Sequence, residues 1–111
     1  MDKKAEEIKK GTPFHLAENV TYAIGSVVSK TLLKKDTGNI TLFSFDKGQG
    51  LSEHTSPFDA VVYIIDGEAE ITIGGDPHTV EAGQMLIMPA DVPHALHALE
   101  QFKMLLTMIR G

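Results

Sequence analysis

The chain has 111 residues, a formal net charge of −5 and no cysteine. Its length is typical of one compact domain, and the lack of thiols excludes a disulfide scaffold, a thiolate metal site and a cysteine nucleophile. No apolar run approaches the roughly 20 residues that span a bilayer. Residues 1–10 are charged and lack the apolar core of a secretory signal. We therefore predict a cytoplasmic protein with no membrane partner.

The charges are distributed unevenly along the chain. Four of the ten basic residues lie in the first ten positions, whereas residues 36–102 contain eleven acidic residues and one base, Lys47. A nucleic-acid-binding protein concentrates Lys and Arg on one surface. The distribution found here is the opposite, and we predict no nucleic-acid partner.

The N-terminal segment differs in composition from the rest. Residues 2–10 favour a helix by propensity but include only Ala5 and Ile8 as apolar side chains, and Gly11 and Pro13 end the segment. We predict that residues 1–13 form a tail, helical or disordered, and that residues 14–111 form a single barrel domain.

The remainder of the chain has the alternation typical of strands. Asp66-Gly67 predicts a tight hairpin turn between two of these strands. Short strands separated by Gly, Pro and Asp turns predict an all-β sandwich or barrel. The predicted strands cover residues 26–34, 40–45, 60–65, 68–73, 78–80, 84–88, 94–99 and 102–109.

Two histidine-centred motifs accompany the predicted strands. In the first, five residues separate Gly48 from His54, and Gly67 closes the motif. In the second, Gly83 and Pro89 precede His94. With these spacings, residues 38–109 resemble the cupin family. The resemblance implies a jelly-roll barrel, also called a double-stranded β-helix, with the two histidines side by side at one end of its interior.

The resemblance also implies a metal site of three histidines and one glutamate. His54 and His94 match two of these ligands, but Ser56 stands at the second histidine position and Ala60 at the glutamate position. Two imidazoles alone bind a divalent ion weakly. Zinc, iron, copper and nickel suit imidazole ligands, and manganese becomes suitable if a carboxylate joins them.

Two further side chains are weaker candidates for completing such a shell. Gln49 lies in the loop before His54 and could turn inward. His97 has the opposite strand parity to His94, so it points outward unless a bulge reverses it.

The barrel interior is expected to contain a cavity for a small-molecule ligand. Two functions remain open: a binding protein whose two histidines orient a carboxylate or hydroxyl, with or without a weakly held divalent metal, and a metal-dependent enzyme of the dioxygenase, isomerase or lyase type. The residues predicted to line the cavity are Phe43, Phe45, Ser56, Ala60, Val62, Ile64, Leu86, Met88, Leu96 and Met104.

The predicted strand over 26–34 is unusually apolar. It includes Val27, Val28, Leu32 and Leu33, which is more apolar surface than one face of a small barrel needs. A long exposed strand of this kind needs to be covered, and we predict a homodimer.

Overall fold

The computed structural model describes residues 8–110, so most of the predicted N-terminal tail lies outside the described residues. Within this range, no helix is long and apolar enough to cross a membrane. A single 3-10 turn at Ala17–Asn19 precedes eight strands. The strands are β1 (Val27–Lys35), β2 (Gly38–Phe45), β3 (Gly50–His54), β4 (Asp59–Ile73), β5 (Asp76–Glu81), β6 (Met85–Met88), β7 (His94–His97) and β8 (Phe102–Ile109).

The strands form two antiparallel layers that share β4. The first half of β4 pairs with β6 and β8, and β2 and β1 extend this layer from β8. The second half of β4 pairs with β5 and β7, and β3 extends that layer from β7. Because one long strand belongs to both layers, the sheet curls around a common interior. The all-β jelly-roll prediction is confirmed.

The hairpin predicted at Asp66-Gly67 is wrong. Strand β4 continues through both residues, and its register against β8 shifts between Ile64 and Asp66. Gly67 has φ 78°, and a Cβ there would clash with the backbone oxygen of Gln101. The glycine therefore serves a bend and a close approach of two strands within the barrel, not a chain reversal.

One half of the interior is filled by large side chains. The rings of Phe45 and Phe102 stack with their centroids 4.5 Å apart. Val62, Ile64 and Ile71 have no exposed surface. We call these five residues the closed half of the barrel.

Residues 14–24 lie across the outside of the layer that contains β2 and β8. The hydroxyl of Ser44 on β2 donates to the carbonyl of Thr21 at 2.7 Å, and Lys103 on β8 donates to the carbonyl of Ala17 at 2.7 Å. This segment, which we call the strap, covers buried polar atoms on the outer face instead of adding a strand.

Strand β1 pairs with β2 alone among the described residues, so its other edge is open. Leu33 on this strand is 37% exposed. The homodimer stays a prediction, as does the cytoplasmic location.

Candidate functional site

The two motif histidines meet at one end of the barrel. His54 is the last residue of β3, His94 is the first residue of β7, and the two are cross-strand partners. Their Nε2 atoms are 3.1 Å apart, and the rings meet edge to face at 71°. His94 is buried with 4% of its surface exposed, whereas His54 lies at the surface.

Backbone carbonyls orient both imidazoles. The Nδ1 atom of His54 lies 2.7 Å from the Ser52 carbonyl oxygen, and that of His94 lies 3.2 Å from the Val92 carbonyl oxygen. A carbonyl oxygen only accepts hydrogen bonds, so each Nδ1 carries a proton and donates it. The two Nε2 atoms are thus left facing each other, free to share a proton or to bind a third group.

The environment of His94 favours its neutral form. Burial lowers the pKa of His94, the positive charge that His54 can carry lowers it further, and the hydrogen bond to the Val92 carbonyl opposes both effects. His94 is therefore neutral at pH 7, and its Nε2 is available as an acceptor.

The loop before His94 is fixed against the loop after His54. The backbone N–H of Asp91 donates to the Ser56 carbonyl at 2.7 Å, and that of Ala90 donates to a carboxylate oxygen of Asp59 at 2.9 Å. Asp91 adopts φ 66°, a left-handed conformation that is uncommon for residues other than glycine. These contacts set the spacing between the two histidines.

A cavity of about 280 Å³ opens beside the histidine pair. Its polar lining side chains all come from residues 54–56 and His94, and the remaining wall is apolar. The complete lining is Leu51, His54, Thr55, Ser56, Pro57, Ala60, Met88, His94, Leu96, Met104, Leu106 and Met108.

Half of the predicted cavity wall lines this cavity. The residues that do so are Ser56, Ala60, Met88, Leu96 and Met104. The residues that do not are Phe43, Phe45, Val62, Ile64 and Leu86. These five residues pack in or against the hydrophobic core without lining the cavity.

Five lining residues were not predicted from the sequence. Leu106 and Met108 share the strand parity of Met104, so alternation along β8 could have identified both. Leu51, Thr55 and Pro57 lie in and just after the short strand β3, where the sequence has no clear periodicity.

The donor set does not fit a metal held by the protein alone. Two Nε2 atoms 3.1 Å apart could bind one ion at ~2.1 Å with an angle of ~95° between them. Within residues 8–110, however, no group of three or more His, Cys, Asp or Glu side chains converges. Ser56 uses its hydroxyl to accept the N–H of Phe58 at 3.1 Å, and Ala60 offers no ligand atom.

The two weaker ligand candidates are not brought to the pair. His97 lies exposed on β7, opposite Gly50 and Glu70, as its strand parity indicates. Gln49 does not line the cavity, and its carbonyl accepts the N–H of Ala98 at 2.8 Å.

Comparison with known proteins agrees with the architecture. A family profile described as "Cupin domain" matches residues 41–110. A conserved protein of unknown function from Streptococcus pyogenes is 39% identical, with a TM-score of 0.90 over 99% of this chain and 96% of that one. A cupin superfamily protein from Desulfitobacterium hafniense is 28% identical, with a TM-score of 0.88 over 98% of this chain and 100% of that one. An uncharacterised protein of Streptomyces coelicolor is 28% identical over 69 residues, which are 62% of this chain and 66% of that protein.

Proposed function

The chain belongs to the cupin family, and from this premise we propose that it binds a small organic molecule in the cavity beside His54 and His94. The apolar body of the ligand packs inside the barrel, and a hydroxyl or carboxyl group meets the two Nε2 atoms. The observation that carries the proposal is the clustering of the polar lining side chains at residues 54–56 and His94, in a wall that is otherwise apolar. A few placed polar groups in an apolar pocket are typical of small-molecule sites.

The cavity limits the size of the ligand. One water molecule occupies about 30 Å³ in the liquid, so 280 Å³ corresponds to roughly nine water-sized groups. An eight-carbon alcohol is of this size. Three methionines line the cavity, Met88, Met104 and Met108, and their flexible side chains can adapt to ligands of different shape.

The histidine pair favours a ligand with a polar end. Both rings donate through Nδ1, and their Nε2 atoms lie 3.1 Å apart. A hydroxyl or protonated carboxyl group can donate to the Nε2 atom of neutral His94.

Calorimetric titration with 1-octanol tests the proposal. We expect binding by the wild type and its loss in Ala60→Leu, because the added carbons enter the cavity. The matched control is Val61→Leu: Val61 is the next residue on β4 and does not line the cavity, so this variant retains binding. Equal affinity in the wild type and Ala60→Leu would contradict the proposal.

The polar end of the site has its own test. His54→Ala is expected to weaken 1-octanol binding by about fivefold, the effect of losing one hydrogen bond of ~1 kcal/mol. The control is His97→Ala, which removes an exposed imidazole from β7. If both variants bind as the wild type does, the histidine pair does not contact the ligand.

A metal-dependent enzyme is the second candidate. It is favoured by the way both Nδ1 atoms are tied to carbonyls, an arrangement typical of metal-binding histidines. Restoring the ligands that the family pattern has, with Ser56→His and Ala60→Glu together, should raise the affinity for a divalent ion at least tenfold. Equilibrium dialysis with Zn²⁺ measures this, with His97→Ala as the background control. Unchanged Zn²⁺ affinity would show that the two histidines do not serve a common metal centre.

A further inference from the structure

A β-bulge in β1 changes which of its side chains face the barrel interior. Thr31 pairs with Thr41 on β2, but the next pair is Leu33 with Ile40, so Leu32 is an additional residue. Side chains alternate between the faces of a strand, and one additional residue reverses the assignment for those that follow. Beyond the bulge, Lys34 rather than Leu33 occupies the position on the interior side of β1.

A row of cross-strand partners connects Lys34 to the cavity wall. Lys34 pairs with Asn39, Asn39 with Met108, Met108 with Ala60, and Ala60 with Met88. The last three residues line the cavity. Lys34 therefore lies at the edge of the same inward-facing row that forms one wall of the cavity.

A second pocket, of about 220 Å³, occupies this end of the row, and Met108 lines both it and the cavity. Three cationic side chains and one carboxylate surround it. Its lining is Lys34, Lys35, Asp36, Gly38, Asn39, Phe58, Met108 and Arg110.

Local contacts hold Arg110 beside this pocket. Its backbone N–H donates to the Thr37 carbonyl at 2.8 Å, and its guanidinium lies 4.9 Å from the centre of the Phe58 ring. Phe58 directly follows Pro57, which lines the cavity. The cationic pocket and the cavity are thus adjacent at one end of the barrel.

We propose that the ligand of this protein is an organic anion whose carboxylate or phosphate group binds Lys34 and Arg110, while its apolar body extends past Met108 into the cavity and a second polar group at its other end, a hydroxyl or protonated carboxyl, meets the histidine pair. This inference rests on the proposed function and names the class of its ligand. Ammonium and guanidinium groups both form strong, charge-assisted hydrogen bonds with such anions.

The charge balance supports an anionic occupant. The chain as a whole carries −5, yet this pocket combines three cations with a single carboxylate, Asp36. Within residues 8–110, the one ion pair joins Lys47 and Glu100, so Lys34 and Arg110 form none there. The competing explanation is that the bulge and the exposed Lys34 protect an edge strand from pairing with another chain.

Calorimetric titrations at low ionic strength separate these explanations. The probes are octanoate, octyl phosphate and the uncharged 1-octanol, and the variants are Lys34→Gln and Arg110→Gln. The control, Lys47→Gln, removes the same charge from a lysine that lines neither pocket. We expect each pocket variant to bind the anions about tenfold more weakly, with 1-octanol binding unchanged. The control should bind all three probes as the wild type does, and the tighter anion identifies the preferred head group.

Other outcomes overturn the inference. If Lys34→Gln and Arg110→Gln bind the anions as tightly as the wild type does, Lys34 serves only to protect the edge strand from pairing with another chain. Loss of octanoate binding in His54→Ala but in neither pocket variant would place the head group at the histidine pair. Failure of the wild type to bind 1-octanol contradicts the proposed function instead, and anion binding that depends on Lys34 would then show a separate anion site.

Discussion

The two halves of the barrel interior share strands β4 and β8 but are filled differently. In the closed half, Phe45 and Phe102 are neighbours on β2 and β8, and their stacked rings are fully buried. In the open half, β4 contributes Ala60 and β8 contributes Met104 and Met108, and a cavity remains. Strand alternation places all of these side chains inward. The difference shows that side-chain size along an inward row, and not the fold, determines whether a jelly-roll interior is solid or receptive.

The largest expected effect is in the closed half. Phe102→Ala removes a fully buried ring that stacks on Phe45. Large-to-small changes of this kind cost ~3–5 kcal/mol of unfolding free energy, measurable by urea denaturation. The control Met85→Ala changes a residue with 61% exposure and should cost less than ~0.5 kcal/mol. A loss below ~1 kcal/mol for Phe102→Ala would mean that the closed half is not tightly packed.

A pair of alanines on β4 provides the sharpest contrast. Ala60 and Ala69 are both buried, with 2% and 0% exposed, but only Ala60 lines the cavity. Ala69→Leu overpacks a filled core and should lower the unfolding free energy by ~1–3 kcal/mol. Ala60→Leu places its added carbons in the cavity and should lower the unfolding free energy by less than ~1 kcal/mol. Equal losses in urea denaturation would remove the distinction between the two halves.

The strap offers a smaller effect on the outside of the closed half. The hydroxyl of Tyr22 donates to a carboxylate oxygen of Asp66 at 2.6 Å, and burial together with this bond raises the pKa of Tyr22. Tyr22→Phe should lower the unfolding free energy by about 1 kcal/mol. In an Asp66→Asn background the same change should cost less, because the charged acceptor is absent. An unchanged cost would show that this hydrogen bond does not stabilise the strap.

The smallest effect is a pH dependence in the open half. The pKa of His94 in the folded protein lies below its ordinary value near 6.5. The unfolded chain therefore takes up a proton first as the pH falls below about 6.5, and the stability contributed by neutral His94 is lost. We expect the stability advantage of wild type over His94→Gln to shrink between pH 7.5 and 5.5. His97→Gln should keep the wild-type pH dependence, and an identical slope in His94→Gln would contradict the burial of a neutral imidazole.

Alternation, which is a local signal, predicted most of the strands, whereas the meeting of the two histidines was predicted from the resemblance to the cupin family. The sequence did not predict which inward side chains line a cavity. Parity assigns Phe45 and Met104 to the same face, but only the packing between layers determines that Phe45 fills its half. The bulge at Leu32 and the bend at Gly67 were missed for a related reason, since both are set by partner strands distant in sequence.

The methionine methyl groups test the central claim most directly. Met88, Met104 and Met108 line the cavity. Met85, at the start of β6, is exposed and serves as an internal control. In a ¹³C-methyl NMR titration with 1-octanol, we expect saturable shifts at the three cavity methionines and none at Met85. Shifts at Met85 alone, or none at any of the four, would contradict binding inside the barrel.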